Sequence, residues 1–206
     1  MNELIDKLVA EKFLKTPAVI EAFYKIKRQD FLPAEIADQD SFDIPLPIGH
    51  DQTISQPYTV AFMLEALKLK KGQKVLDIGS GSGWSTALLA EIVGPKGKVF
   101  GVERIKELKE FGEKNAAKYN FDNVTFTYGD GTKGLPNEAP FDRIMVSAAA
   151  FRIPKALKQQ LAIGGRMIIP TEAQDLRIIE RTSDKKFEEI IHQGFLFVPL
   201  IEGKAE

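Results

Sequence analysis

The run Val75-Leu76-Asp77-Ile78-Gly79-Ser80-Gly81-Ser82-Gly83-Trp84 limits what this chain can fold into more than any other stretch. Aliphatic residues flank an aspartate, three glycines alternate with serines, and an apolar helical pattern begins at Thr86. This reads as a strand, a tight glycine loop and a helix. Glycine tolerates positive φ and lets a ligand approach the backbone, while the first helical turn offers unpaired N–H groups. Alone, such a loop names no ligand.

Composition narrows the setting. A chain of 206 residues buries about 70% of its unfolded surface on folding and needs no staples. The formal net charge of −1 provides no bulk attraction for nucleic acid or an anionic membrane, and neither is expected as a partner. Cysteine is absent, which removes disulfides, zinc–thiolate sites and a cysteine nucleophile and suits a reducing, cytoplasmic interior. No metal site is expected. The N-terminus has no apolar signal core, and no apolar run approaches the ~20 residues of a membrane span. A monomer is expected.

Two amphipathic helices open the chain. Leu4, Ile5, Leu8, Val9 and Phe13 fall at helical spacing, and after Thr16-Pro17, read as an N-cap and first helical position, so do Val19, Ile20, Phe23 and Ile26. Residues 1–40 are thus a helical extension, a packing layer or lid, to a main domain at 41–206. Residues 41–57, SFDIPLPIGHDQTISQP, carry three prolines and no period and read as a long, irregular, functional loop. A helix opens at Pro57. Strands at 75–78, 98–102, 124–128, 141–147 and 166–170 then alternate with helices, one of them short and ending near Ile163. Two more strand-like runs, 176–181 and 187–198, follow without a helix between them. The fold class is α/β: a Rossmann-like, doubly wound, mostly parallel sheet with a C-terminal antiparallel hairpin and an N-terminal helical extension.

Ligands of such sheets bind beyond the carboxyl ends of the strands. Asp77, Glu103 and Asp130 stand at three of those ends, and Glu103 lies 20 residues after Gly83, where a carboxylate can accept from ribose hydroxyls. That spacing serves NAD or any adenosyl ligand. An acid at the mouth of a pyrophosphate site is repulsive, however, whereas acids beside a sulfonium or ammonium group are favourable. The loop is also tighter than the dinucleotide fingerprint. These features favour S-adenosylmethionine. The plainer alternative makes Glu103 and Asp130 solvated strand-end carboxylates or helix caps.

The segments PLPIGHDQTISQPYTVAFMLEAL, VLDIGSGSGW, GVERIKEL, GDGTKGLPNEAPFDRIMVSAAAFRIP, QLAIGGRMIIP and FVPLIEG resemble the successive motifs of the protein-L-isoaspartate O-methyltransferase family, from about Ile44 to Gly203. The resemblance implies methyl transfer from S-adenosyl-L-methionine to the free carboxylate of L-isoaspartyl residues in damaged proteins or peptides, leaving S-adenosyl-L-homocysteine. The ester then collapses unaided to a succinimide, part of which hydrolyses to normal aspartate. By position, Ser55 matches the family's active-site serine, with Thr53 and Ile54 lining the same loop by backbone contacts. A helix cap before Pro57 is the plainer role for Ser55. Tyr58 is expected near the cofactor. Asp77, Gly79, Ser80, Gly81 and Ser82 would surround its methionine part, Glu103 with Arg104 its ribose, and Asp130 and Gly131 its adenine. Ser147-Ala148-Ala149-Ala150 would border the substrate entrance, and Gln174 matches a late cofactor-side glutamine.

The chain departs from that pattern at His50-Asp51, where the family has an aromatic or small residue and glycine. Aspartate can occupy the left-handed region, so the turn can survive. Facing the substrate, its charge would repel a carboxylate; facing solvent, it would be neutral to function. Pro170-Thr171-Glu172 replaces Pro-Val-Gly in a shortened loop, and Trp84 replaces a tyrosine, a change that core packing explains. His192 reads as structural. Three other readings stand beside isoaspartyl methylation: a methyltransferase for another acceptor, a non-catalytic adenosyl-binding module, and a nicotinamide dehydrogenase.

Overall fold

The computed structural model describes residues 1–205. Its centre is strand β3 (Lys74–Ile78), buried at four of its five positions, including Asp77. A strand with helices on both faces has no solvent side, which is why Val75, Leu76 and Ile78 run together instead of alternating with polar residues. β4 (Lys98–Glu103) and β5 (Val124–Tyr128) are laid down on one side of it. The chain then crosses back, and β6 (Phe141–Val146), β7 (Leu161–Thr171), β8 (Asp175–Arg181) and β9 (Phe187–Gln193) complete a seven-stranded sheet in the order β5-β4-β3-β6-β7-β8-β9. Pairing is parallel from β5 to β7 and antiparallel for β7–β8 and β8–β9. The order reverses between β3 and β6, and a crevice opens there beyond their carboxyl ends.

Helices α3 (Pro57–Leu67), α4 (Trp84–Val93) and α5 (Lys106–Ala117) follow the expected order. In the extension, α1 (Asn2–Ala10) and α2 (Pro17–Lys25) place Ile5, Leu8, Val19, Ala22 and Phe23 in the same apolar cluster as Trp84, Leu88 and Leu89. Phe23 meets Trp84 edge-on at 5.7 Å between ring centroids. Thr16 stands at the N-cap of α2 and Pro17 at its first turn, but the Thr16 hydroxyl caps nothing. It donates to Glu65 Oε2 (2.6 Å), while Glu65 Oε1 accepts the N–H groups of Lys15 and Thr16 (both 2.8 Å). A carboxylate on α3 therefore anchors the entry to α2.

The structure corrects three sequence expectations. Residues 41–57 are not wholly irregular: β1 (Leu46–Gly49) and β2 (Gln52–Ile54) form an antiparallel hairpin. Its proline, Pro47, lies on an outer strand of a two-stranded ribbon, where a missing N–H costs little. His50 and Asp51 turn it with φ of 53° and 56°, the left-handed pair that a tight hairpin requires. Second, α6 (Lys155–Gln160) stops before Ile163 and β7 starts at Leu161, because the Gly164-Gly165 pair is absorbed as an irregularity in the β6–β7 ladder. Third, β9 ends at Gln193. Gly194 (φ 93°) redirects the chain, and residues 195–200 cross to the carboxyl end of the sheet, where Ala149 donates to the Val198 carbonyl and Leu200 to the Ala149 carbonyl (both 2.7 Å). Among the described residues no helix is long and apolar enough to cross a membrane.

Candidate active site

The glycine loop occupies the crevice. Gly79 and Ser80 donate to the Val102 carbonyl (2.8 and 3.2 Å), and Ser147 donates to the Ile78 carbonyl (2.8 Å), so the ends of β3, β4 and β6 are stitched together around it. Glu103, 5% exposed, fixes the loop from the end of β4. Its Oε2 accepts the Gly81 N–H and its Oε1 the Ile105 N–H, each at 3.0 Å. From the other side α5 is pressed against the loop. A Cβ on Gly112 would lie 2.6 Å from the Gly81 carbonyl oxygen, and a Cβ on Gly83 would lie 2.6 Å from that of Gly112. Asn115 Nδ2 donates to the Ser82 carbonyl at 3.1 Å.

These elements enclose one cavity. The hairpin supplies Thr53, Ile54 and Ser55, and the loop supplies Gly79, Ser80, Gly81 and Ser82. Glu103, Arg104, Gly131, Ser147 and Ala148 come from the strand ends, and Val198 to Ile201 from the last segment. The hairpin is folded down onto the loop: a Cβ on Gly81 would meet Ile48 Cδ1 at 3.3 Å. The buried Ser80 Oγ and Trp84 Nε1 have no protein partner, although both residues line the cavity. Buried polar groups are ordinarily satisfied, so a ligand with polar groups fits this wall. The Ser55 hydroxyl also takes no protein partner among the described residues, and Gln56, not Ser55, is the N-cap of α3, without a side-chain cap bond.

Four sequence-predicted residues lie elsewhere. Asp77 is fully buried beneath the loop and does not line the cavity. Its Oδ2 accepts the hydroxyls of Ser85 (2.7 Å) and Thr86 (2.6 Å), securing the start of α4, while Oδ1 has no partner. Asp130 is a cap, the plainer of its two readings: Oδ1 accepts the Thr132 N–H (3.0 Å) and hydroxyl (2.7 Å). Burial alone would raise its carboxyl, but the Thr132 bonds and Lys133, whose Nζ lies 3.4 Å from Oδ2, outweigh that and hold it below the usual range. Tyr58 is drawn away by aromatic packing, edge-on to Phe13 at 4.7 Å and stacked toward Phe195 at 6.5 Å. Gln174 sits exposed in the short β7–β8 turn at φ 59°, and its carbonyl accepts from Gly194 and Phe195 (2.9 and 3.0 Å). Asp51 is exposed at the hairpin tip and outside the cavity lining. The His192 ring packs against Phe62 at 5.0 Å.

Sequence reasoning missed Gly112, Asn115 and Arg28. Only Gly112 carried a signal, since glycine in a helix interior costs about 1 kcal/mol against alanine and marks close packing when it is kept.

Desolvation raises the Asp77 carboxyl to about 6, with a smaller push from Glu103, against the lowering by Thr86 and Ser85. The native value lies above the ordinary 3.8, so neutral Asp77 contributes stability that is full below about pH 4 and lost as pH rises through about 6. Asp77→Asn should abolish this loss. Between pH 5 and 7.5 the wild type should lose about 1–1.5 kcal/mol more stability than the variant. Denaturant midpoints at the two pH values check this, and parallel changes in both proteins would contradict it.

A family model described as protein-L-isoaspartate(D-aspartate) O-methyltransferase matches residues 1–205. The chain belongs to the protein-L-isoaspartate O-methyltransferase family. Family members named for that activity include one from Ignicoccus hospitalis, 44% identical over 98% of this chain and 97% of its own. Another, from Methanopyrus kandleri, is 44% identical over 100% and 93%, and one from Aeropyrum pernix is 46% identical over 96% and 78%. Among solved structures, a putative family member from Plasmodium falciparum, in complex with S-adenosyl-L-homocysteine, superposes with a TM-score of 0.85 at 26% identity, covering 97% of each chain. A second protein-L-isoaspartate O-methyltransferase gives 0.87 at 28% identity, over 96% of this chain and 65% of that one.

Proposed function

We propose that the cavity holds S-adenosylmethionine against the glycine loop and Glu103, and that Ser55 orients the carboxylate of an L-isoaspartyl residue beside it. The chain is a protein-L-isoaspartate O-methyltransferase and depends on S-adenosylmethionine. The observation that carries the residue assignments is the convergence of the Ser55 hairpin and the Glu103-braced loop on one cavity. When bound, S-adenosylmethionine supplies a methyl group on sulfonium sulfur and leaves as S-adenosylhomocysteine.

The acceptor asks little of the protein. An α-carboxyl has a pKa of roughly 3.5, so the attacking oxygen is already ionised at neutral pH and no strong base is required. One carboxylate oxygen forms the new O–C bond as the methyl–sulfur bond breaks, and no proton moves. What remains is alignment and dehydration. The Ser55 hydroxyl, free of helix-capping duty, donates to the carboxylate. The apolar residues Ile54 and Val198, on the same cavity wall, limit water. Glu103 carries two backbone N–H bonds through single lone pairs, and the remaining lone pairs can accept from ribose hydroxyls. Gly131 lines the cavity beside the Asp130 cap. Its small size also serves packing, since a Cβ there would lie 2.5 Å from Ile78 Cγ2. A cysteine-free sequence suits a reducing cytoplasm.

Calorimetric titration tests the cofactor assignment. S-adenosylhomocysteine should bind and NAD should not. Glu103→Gln turns one acceptor of a backbone N–H into a donor, which at about 1.5–3 kcal/mol should weaken S-adenosylhomocysteine by about 10–100-fold. Equal binding of NAD, or unchanged affinity in the variant, contradicts the assignment.

A further inference from the structure

Arg28 is fully buried, yet it is not part of the cavity lining and forms no salt bridge among the described residues. It opens the turn Arg28–Phe31 that follows α2. Its two terminal nitrogens are spent on backbone carbonyls, while the buried Nε has no protein partner: Nη1 donates to Asp40 (3.2 Å) and Phe42 (2.8 Å), and Nη2 to Ile44 (2.8 Å) and Ser55 (3.2 Å). The same group lies over the Trp84 ring, 5.5 Å from its centroid. One cation in the N-terminal extension thus touches the carbonyl of Ser55, on the hairpin wall, and the first residue of α4, where the glycine loop ends. Burial lowers Arg28 to about 10, with Asp40 and Asp43 opposing, so it stays charged at neutral pH.

A buried cation is an unfavourable way to fill space, and an apolar side chain of similar volume is often as stable or more so. What the guanidinium offers is a planar fork with five donors, able to hold four carbonyls from two separate segments in one plane. Ser55 needs such a hold. The β1–β2 ladder ends at Ile54, and α3 begins only at Pro57, where the N-cap Gln56 makes no side-chain cap bond and Asp43 Oδ1 accepts the Tyr58 N–H (2.9 Å). Between them, the Ser55 carbonyl is held by Arg28 (3.2 Å), which fixes the Ser55–Gln56 peptide plane and with it the place of the Ser55 Cα from which the hydroxyl projects.

We infer that Arg28 is a positioning residue for methyl transfer, holding the Ser55 hydroxyl in register with the glycine loop, so that the N-terminal extension is part of the active site. The inference rests on the proposed role of Ser55. It goes further in giving the extension a function beyond covering the core.

The test compares Arg28→Lys, Arg28→Met, Ser55→Ala and the Arg28→Lys/Ser55→Ala double variant. Steady-state kinetics with an isoaspartyl peptide, S-adenosylhomocysteine titration and thermal melting are measured for each. Both Arg28 variants should keep S-adenosylhomocysteine affinity within about threefold and lose kcat by about 10–100-fold, the scale expected for misplacing a reacting group by roughly 1 Å. In the Ser55→Ala background, Arg28→Lys should cost less than threefold further, because the group it aims is gone.

Wild-type kcat in a folded Arg28 variant, with Ser55→Ala impaired, overturns the positioning role alone. Multiplicative losses in the double variant also overturn it. Failure of both Arg28 variants to fold makes the residue a folding element and overturns the inference as stated. Wild-type kcat in Ser55→Ala, by contrast, removes the reading of Ser55 itself.

Discussion

Gly112→Ala should destabilise the protein by about 3 kcal/mol and lower its melting temperature by about 6–12 °C. Helix propensity predicts the opposite sign, since alanine in the interior of α5 is favoured over glycine by about 1 kcal/mol. Contact decides the matter. The new methyl carbon would stand 2.6 Å from the Gly81 carbonyl oxygen, 3.1 Å from the Gly83 nitrogen and 3.2 Å from the Ser82 carbonyl carbon. All three are backbone atoms, so no rotamer change relieves them. Either α5 or the glycine loop must retreat. Glu103 and the ends of β3 and β4 hold the loop from behind, so S-adenosylhomocysteine affinity should fall at least about tenfold as the cradle deforms. Gly129→Ala is the control: its Cβ would make only ordinary contacts at 3.5 and 3.7 Å, and its cost should stay under about 1 kcal/mol. Melting curves and titrations of the two variants check both statements. A stabilised Gly112→Ala protein would show that the loop and helix are not interlocked.

Ser55→Ala is the second large effect, and it should be confined to catalysis. A hydroxyl donating to an ionised carboxylate is worth about 1.5–3 kcal/mol, so kcat for an isoaspartyl peptide should fall by about 10–100-fold. S-adenosylhomocysteine affinity should stay within about twofold and stability within about 0.5 kcal/mol. The cap reading of Ser55 makes a different prediction, a loss of about 1 kcal/mol in stability with little change in kcat. Kinetics and melting of this one variant therefore separate the two. Gln56 at the N-cap of α3 already favours the catalytic outcome.

The features legible in the sequence are those written in short, local patterns. β3, its glycine turn and α4 follow from a continuous aliphatic run, glycines and an apolar helical period, and Glu103 followed from its interval after Gly83. The hairpin at β1–β2 was hidden by its prolines and by His50-Asp51, a pair that reaches positive φ without the usual glycine. Tyr58 and Gln174 show what position alone leaves open. Each occupies the expected place in the chain, but Phe13 and Phe195 draw the Tyr58 ring away and the short β7–β8 turn leaves Gln174 on the surface. Arg28 was illegible for another reason. Its partners are carbonyls, which every residue carries, so the sequence holds no trace of the contact.

The same limit applies to the acceptor. Asp51 is exposed at the hairpin tip and outside the cavity lining, so its charge does not face the proposed carboxylate site. The most direct test of the central claim is methyl transfer from labelled S-adenosylmethionine to two peptides identical except for one residue. Label should enter the L-isoaspartyl peptide and be absent from the peptide with normal aspartate. Equal labelling of both, or none in either while S-adenosylhomocysteine binds normally, would contradict it.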